Sequence, residues 1–327
     1  MKRPLSFSLG LALCAGMFTA PALAVVSIDF LKIGDAGNAP DSRVMIDSSS
    51  GYGSVAYEFY MARNETTIGQ YVEFLNAVAK SDPYQLYSAG MASTSYVAGI
   101  SRSGSSGNYS YVPIGNSANK PITYVSWFDA ARFCNWLHNG QGSGSTEIGA
   151  YTLNGAMSGI YTVNPGAQAW IPSENEWYKA AYYDATKNGG AGGYWALPNQ
   201  SDSIPGNTIG VPGSANFYDG DYVGYPTTAL TDVGAYGAAS ASYYGTNDQG
   251  GNVYEWNDAV VSGSWRGVRG GAWNNSGFLD LDSARRYDDV PSMENHVYGF
   301  RVAGVPEPSA MLLTLLASGL VVLRRLR

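Results

Sequence analysis

The chain has 327 residues, of which 45% are hydrophobic and only 14% charged, with 25 Tyr, 8 Trp and 41 Gly, and its formal net charge is −7. So many aromatic side chains carry enough apolar area for a substantial core, which excludes a disordered chain. The acidic balance excludes nucleic acid and anionic lipid as partners.

Lys2 and Arg3 precede an apolar run from Leu9 to Phe18 and the small-residue site Ala22-Leu23-Ala24, which is the order of a secretory signal peptide cleaved after Ala24. Residues 1–24 are therefore expected to be removed. Alternation from Ala56 to Ala62 predicts a strand. From Thr67 to Lys80, Ile68, Tyr71, Val72, Leu75, Val78 and Ala79 recur at three- and four-residue spacing, which predicts a helix with one buried stripe. Ser101 to Asn108 is rich in Gly and Ser and reads as a surface loop. A second helix is predicted from Trp127 to His138, with Ser126 as N-cap and Trp127, Ala130, Ala131, Cys134 and Leu137 on its buried face. Asn139 to Gly149 reads as another surface loop. A third helix starts after Pro172, where Ser173 and Glu176 have the spacing of a capping box and Trp177, Ala180 and Ala181 face inward. Lys187 to Gly193 again reads as loop. Residues 25–304 show neither a solenoid repeat nor an internal boundary, so one domain is expected there.

Residues 305–327 carry Val305-Pro306-Glu307-Pro308, an apolar run from Ser309 to Leu323, and Arg324-Arg325-Leu326-Arg327. The run is shorter than the roughly 20 residues of a comfortable membrane span. An ordinary anchor with a basic cytoplasmic end is one reading. The order of features resembles the PEP-CTERM sorting signal of Gram-negative bacteria. That resemblance implies removal of the tail by an exosortase-type sorting protease, membrane contact through the segment before processing, and export to the cell envelope or extracellular matrix. Between the two ends, 14 basic residues face 25 acidic ones.

A general search for chemistry is mostly negative. There is no HExxH helix, Walker loop, GxGxxG fingerprint or GxSxG elbow. His138 and His296 are the only histidines, so one subunit cannot supply three His ligands. Cys14 falls in the signal segment, which leaves Cys134 alone and precludes an intrachain disulfide in the mature chain. Its place on an apolar helix face predicts a buried, inert thiol.

Six segments occur in an order that carries more weight than any one of them: Asn64-Glu65-Thr66-Thr67 with Tyr71 to Asn76, Pro121 to Leu137, Ile171 to Trp177, GGNVYEW at 250–256, RGGAWNN at 269–275 and GFR at 299–301. Together they resemble the formylglycine-generating, sulfatase-modifying-factor family. The resemblance implies an α+β fold: a single irregular domain related to C-type lectins and low in regular secondary structure.

It also implies bound calcium. One ligand set would be the side chains of Asp248 and Glu255 with the carbonyls of Gly251 and Val253. Hard cations take such oxygens, although pairing of Glu255 with an arginine such as Arg269 is the competing reading. A second site would use Asn216 and the Phe217 carbonyl, with Asp219 or Asp221 as a further ligand. The oxidase members bind copper through two thiols. Alignment on Arg269-Gly270-Gly271 puts Asn275 and Asp280 at those positions, and amide plus carboxylate is a poor copper(I) site. Catalytic residues are therefore not assigned, and neither copper nor iron is expected.

Residues 273–296 still read as a binding surface, because Trp273, Asn274, Asn275, Arg285, Arg286, Tyr287, Asp288, Asp289, Asn295 and His296 combine aromatic, amide and charged groups. Such groups recognise peptide or sugar by stacking and hydrogen bonding. Structural ion pairs for Arg285, Arg286 and Arg301 are the plainer alternative. The expected function is an exported binding module for a polypeptide or exopolysaccharide. An oxidoreductase with atypical metal ligands and a structural matrix protein are the other two readings.

Overall fold

A computed structural model describes residues 25–203, 206–224 and 228–305. The expected signal peptide and nearly all of the expected sorting segment lie outside the described residues.

The elements are short and follow the local sequence closely. Strands β1 (Phe30–Ile33) and β2 (Phe59–Ala62) precede helix α1 (Ile68–Val78), the one-turn helix α2 (Gly90–Ser93), and a hairpin of β3 (Ile100–Ser103) and β4 (Ser110–Pro113). Helix α3 (Trp127–His138), strand β5 (Ala169–Trp170), helix α4 (Glu174–Tyr182), strand β6 (Tyr183–Asp184), the turn α5 (Lys187–Gly190) and strand β7 (Gly193–Tyr194) make up the middle. The C-terminal part holds β8 (Tyr254–Val260), β9 (Arg266–Arg269), β10 (Tyr287–Asp289), β11 (Tyr298–Gly299) and β12 (Ala303–Gly304).

Each main helix starts at a capping box, in which a hydroxyl accepts from the N3 amide while the N3 side chain accepts from the cap amide. Thr67 pairs with Gln70, Ser126 with Asp129 and Ser173 with Glu176. The boundaries of α3 are those expected from the sequence. Its environment is not, because every residue from Trp127 to Trp136 is buried rather than one face alone. Helices covered on all sides belong to the centre of a core. Arg132 is tolerated there because Glu147 takes its Nε at 2.8 Å and its Nη2 at 3.1 Å.

The loop expected from Ser101 to Asn108 needs correction, since its first residues belong to the β3–β4 hairpin. Arg102 explains why a Gly/Ser-rich stretch extends there: its guanidinium lies over the rings of Tyr87 and Tyr109, 4.5 and 4.4 Å from their centroids. The strand expected from Ala56 to Ala62 is β2, which begins later, at Phe59.

Two four-stranded sheets organise the domain. One has the order β1-β2-β12-β5 and is antiparallel throughout, so both ends of the described chain meet in it. The other has the order β10-β9-β8-β11, and β11 runs parallel to β8 with Tyr298 opposite Tyr254 and Gly299 opposite Glu255. Between them packs an aromatic core in which Phe133 contacts Tyr71, Phe74, Trp136 and Phe300 at centroid distances of 5.4–6.2 Å. Aromatic pairs of this kind, here stacked, tilted and edge-to-face, add about 0.5–1.5 kcal/mol beyond their buried area.

Candidate functional site

The three late motifs meet in one buried hub. The carboxylate of Glu255 on β8 accepts from Arg301 Nε and Nη2, each at 2.6 Å, and from Trp177 Nε1 at 2.7 Å. Arg301 directs its remaining donors to the carbonyls of Ala62, Arg63 and Asn247. Both side chains of the pair are wholly shielded from solvent. Arg269 makes a parallel arrangement with Glu174 in the first turn of α4 and with the carbonyls of Ser283 and Arg285.

Asn252 ties the hub to its surroundings. Its Nδ2 donates to Glu65 Oε1 at 3.2 Å, and its Oδ1 accepts from Asn216 Nδ2 at 3.0 Å and from the Thr231 amide at 3.2 Å. Its carbonyl accepts from the Trp273 amide at 3.0 Å. The preceding Gly251 has φ of +82°, and a Cβ there would lie 2.2 Å from the Asn216 carbonyl oxygen, so the close approach requires glycine.

This geometry bears on the first calcium ligand set. The Glu255 carboxylate is engaged by Arg301 and Trp177, so as placed it does not fit a ligand role beside Asp248, Gly251 and Val253. Asp248 is held instead by the Gly234 amide at 2.5 Å, and burial pushes its carboxyl up to about 6. The arginine alternative is correct in kind, although the partner is Arg301 rather than Arg269. Among the described residues no three His, Cys, Asp or Glu side chains group as metal ligands. The second set fits better. Asn216 Oδ1 is buried without a hydrogen-bond partner, and the Phe217 carbonyl accepts only a long 3.3 Å bond from Asn207. Asp219 and Asp221 are exposed on the adjoining loop.

The segment 273–296 separates into two groups. Trp273 packs edge-on against Tyr222 at 5.4 Å and His296 at 5.7 Å, and its Nε1 donates to the His296 carbonyl at 3.4 Å. Asn274 is exposed with its amide 3.5 Å from His296 Nε2. Burial lowers the His296 pKa and so favours the neutral ring. The Asn295 carbonyl accepts from the Tyr124 amide at 2.9 Å, which brings the Tyr124 ring to 6.4 Å from His296. Next to this group, half-buried Tyr254 meets Tyr287 and Tyr298 edge-on at 5.8 and 6.1 Å.

Asn275 and Asp280, the positions that the sequence resemblance sets against the oxidase thiols, lie beside this face. Asp280 accepts from the Tyr287 hydroxyl at 2.5 Å, and Asn275 Oδ1 accepts from the Ala272 amide at 2.5 Å. Asp289 likewise accepts from the Tyr298 hydroxyl at 2.9 Å. Arg286 does not belong to the face, because Glu174 and Asp47 claim its guanidinium. Arg285 makes no salt bridge among the described residues and lies beside Tyr287. Tyr124, Tyr218, Tyr222, Tyr254 and Tyr298 complete the aromatic band and were not singled out from the sequence. A tyrosine count of 25 was the available signal.

Cys134 is fully buried in α3, and burial raises its thiol pKa, as an inert core cysteine requires. His138 accepts from the Gln168 amide at 3.1 Å, a structural role.

Residues 50–305 match the family described as the sulfatase-modifying factor enzyme 1-like domain, FGE-sulfatase. Among solved structures, Treponema denticola variable protein 1 is similar over 87% of this chain and 98% of its own, at 17% identity and a TM-score of 0.53. CarF is similar over 86% of this chain and 99% of its own, at 20% identity and a TM-score of 0.50. For PvdO from Pseudomonas aeruginosa the corresponding values are 86%, 93%, 18% and 0.47. No curated protein matches the chain significantly. At these identities the structural likeness bears on fold alone, and the fold is the irregular, C-type-lectin-like α+β arrangement. The chain belongs to the sulfatase-modifying factor enzyme 1-like domain family.

Proposed function

We propose that this family member is an exported, envelope-sorted binding module and not a copper oxidase, with a polypeptide or exopolysaccharide seated on the aromatic band around Trp273. The observation that carries this reading is the continuity of that band. Tyr218, Tyr222, Trp273, His296 and Tyr124 follow one another at ring separations of 4.7–6.4 Å, and Asn274 is exposed beside them. Aromatic rings with amide and carboxylate neighbours suit contact with sugars and hydrogen bonding to peptides. Loss of the thiol pair, with Asn275 and Asp280 given over to supporting the loop and Tyr287, supports binding over oxidation. Export and sorting rest on the terminal sequences.

Calcium belongs to the same proposal. Asn216 and the Phe217 carbonyl would hold it, supplying a rigid tie between the 216–222 loop and the Asn252 hub. The buried, unpartnered Asn216 Oδ1 supports that placement.

The test is retention of the purified protein on immobilised exopolysaccharide and on envelope polypeptides from the producing organism. Asn274→Ala, at an exposed side chain, should reduce retention with stability unchanged, whereas Trp273→Ala removes a nearly buried ring and should reduce both retention and the unfolding temperature. Equal retention by both variants and the parent would refute the assignment.

A further inference from the structure

A cavity of about 340 Å³ opens beside the start of α4, and Tyr57, Trp170, Glu176 and Asp258 stand in its wall. That volume suits a small organic group rather than a single water or ion. The cavity shares no residue with the aromatic band around Trp273. The Tyr57 hydroxyl donates to Glu176 Oε1 at 3.1 Å and Trp170 Nε1 donates to Oε2 at 3.3 Å, so two rings are fixed around one carboxylate. Glu176 is further engaged by the Ser173 amide, as the capping carboxylate of α4. Asp258 is the acid left over. Its Oδ1 accepts from the buried Arg266 at 2.9 Å, and among the described residues its Oδ2 takes no hydrogen bond, while the side chain is partly exposed.

The rest of the wall has the same polarity. Asn164 lines the cavity with its Nδ2 donated to the Gly149 carbonyl and the Thr152 hydroxyl, which leaves Oδ1 as its free end. Among the described residues no lysine, arginine or histidine lines it. The side chains thus offer acceptors and negative charge, and a complementary ligand brings donors and positive charge. Aromatic faces add attraction for an organic cation. A guanidinium binds best through both oxygens of a carboxylate, and Arg266 already holds one of them. An ammonium is a point charge that one free oxygen can anchor. We propose that this cavity binds an alkylammonium group, its charged end at the free oxygen of Asp258 and its chain against the apolar wall of Val163 and Ile171. A lysine side chain of a polypeptide and a free aliphatic amine both carry that group.

The test is calorimetric titration of the purified protein at pH 8 with Nα-acetyl-lysine amide, with n-pentylamine, and with n-pentanol as the neutral chain of matching length. At that pH the amines are protonated, and Asp258 is ionised, since burial, assisted by Glu176 and opposed by Arg266, raises its carboxyl to about 7. Saturable binding of an amine is expected, with pentanol bound at least about tenfold more weakly. Asp258→Asn should weaken amine binding by a similar factor of about ten. Binding of the lysine derivative alone supports the proposal and identifies a polypeptide as the source, and binding of pentylamine alone supports it with a free amine as the source. Asn274→Ala should bind the amines as the parent does, and loss of binding there would move the amine to the Trp273 band and overturn the assignment. Equal affinity for pentanol, no saturable binding of either amine, or unchanged affinity in Asp258→Asn would also overturn it. The comparison of amine with alcohol uses the parent protein, so it remains decisive if Asp258→Asn fails to fold.

Discussion

Glu255 and Arg301 face each other across the parallel β8–β11 contact, joined by two hydrogen bonds of 2.6 Å with neither side chain exposed to solvent. Removing one partner of such a pair strands the other charge in the core and costs about 3–5 kcal/mol. Glu255→Gln should therefore lower stability by that order, and added calcium should not restore it. Chemical denaturation with and without calcium measures both quantities. A mild, calcium-reversible loss would return Glu255 to the role of metal ligand.

Two carboxylates, buried Asp129 and half-buried Asp258, make stability depend on pH. Burial raises Asp129 to about 7, with Glu294 adding to the effect and the hydrogen bonds from Ser126 and the charge of Arg132 opposing it. Burial likewise raises Asp258 to about 7, opposed by Arg266 and assisted by Glu176. The unfolded chain releases these protons near the ordinary value of 3.8. Between about 4 and 7 the folded state binds more protons than the unfolded state, so stability falls as pH rises through that window and levels off above it. The contribution is on the order of a few kcal/mol per group. Melting temperatures at pH 5 and pH 8 should differ in that direction, and Asp129→Asn should shrink the difference while keeping an acceptor for the Ser126 amide.

Much of the fold was legible because capping chemistry is local. Ser126 and Ser173 mark their helix starts within a few residues, whatever the rest of the chain does. The partner of Glu255 was not legible. Arg269 is nearer in sequence, and only the pairing of Gly299 with Glu255 brings Arg301 within reach while Glu174 takes Arg269. Of the two readings of Arg286, binding surface or structural ion pair, the second holds, with Glu174 and Asp47 as partners that no sequence spacing indicates. Within the aromatic band, Trp273 and His296 stood out by residue type. Tyr222 and Tyr124 join them through loop packing that no periodic pattern encodes.

Cys134 sets the expectation for redox chemistry. Its thiol is fully buried in α3, so it cannot contribute to a solvent-accessible copper site in the folded protein. A sulfatase-type cysteine peptide should remain unoxidised after incubation with copper-loaded protein, as read by mass spectrometry. A thiol reagent should label Cys134 only after denaturation. Formylglycine above an empty control would contradict the assignment of the family thiol positions to Asn275 and Asp280.

Asn252 offers the most direct test of how the hub supports the binding face. Its backbone lies in the left-handed region with φ of +59°, where asparagine and glycine are tolerated better than alanine. Its side chain meets Glu65, Asn216 and Thr231, and its carbonyl holds the Trp273 amide. Asn252→Ala therefore loses side-chain bonds in a buried site and adds backbone strain, for a combined cost on the order of 3 kcal/mol. Asn252→Gly keeps the backbone freedom and loses only the side chain, so it should recover about 1 kcal/mol of that cost. Neither variant alters a side chain of the band, yet both should weaken retention on the ligand by loosening the nearly buried Trp273. Calorimetry separates the stability terms, and near-ultraviolet circular dichroism reports the packing of the indole. If Asn252→Gly retained full stability and unchanged retention, the face would owe its geometry to the 218–222 loop and its ring contacts rather than to the asparagine beneath it.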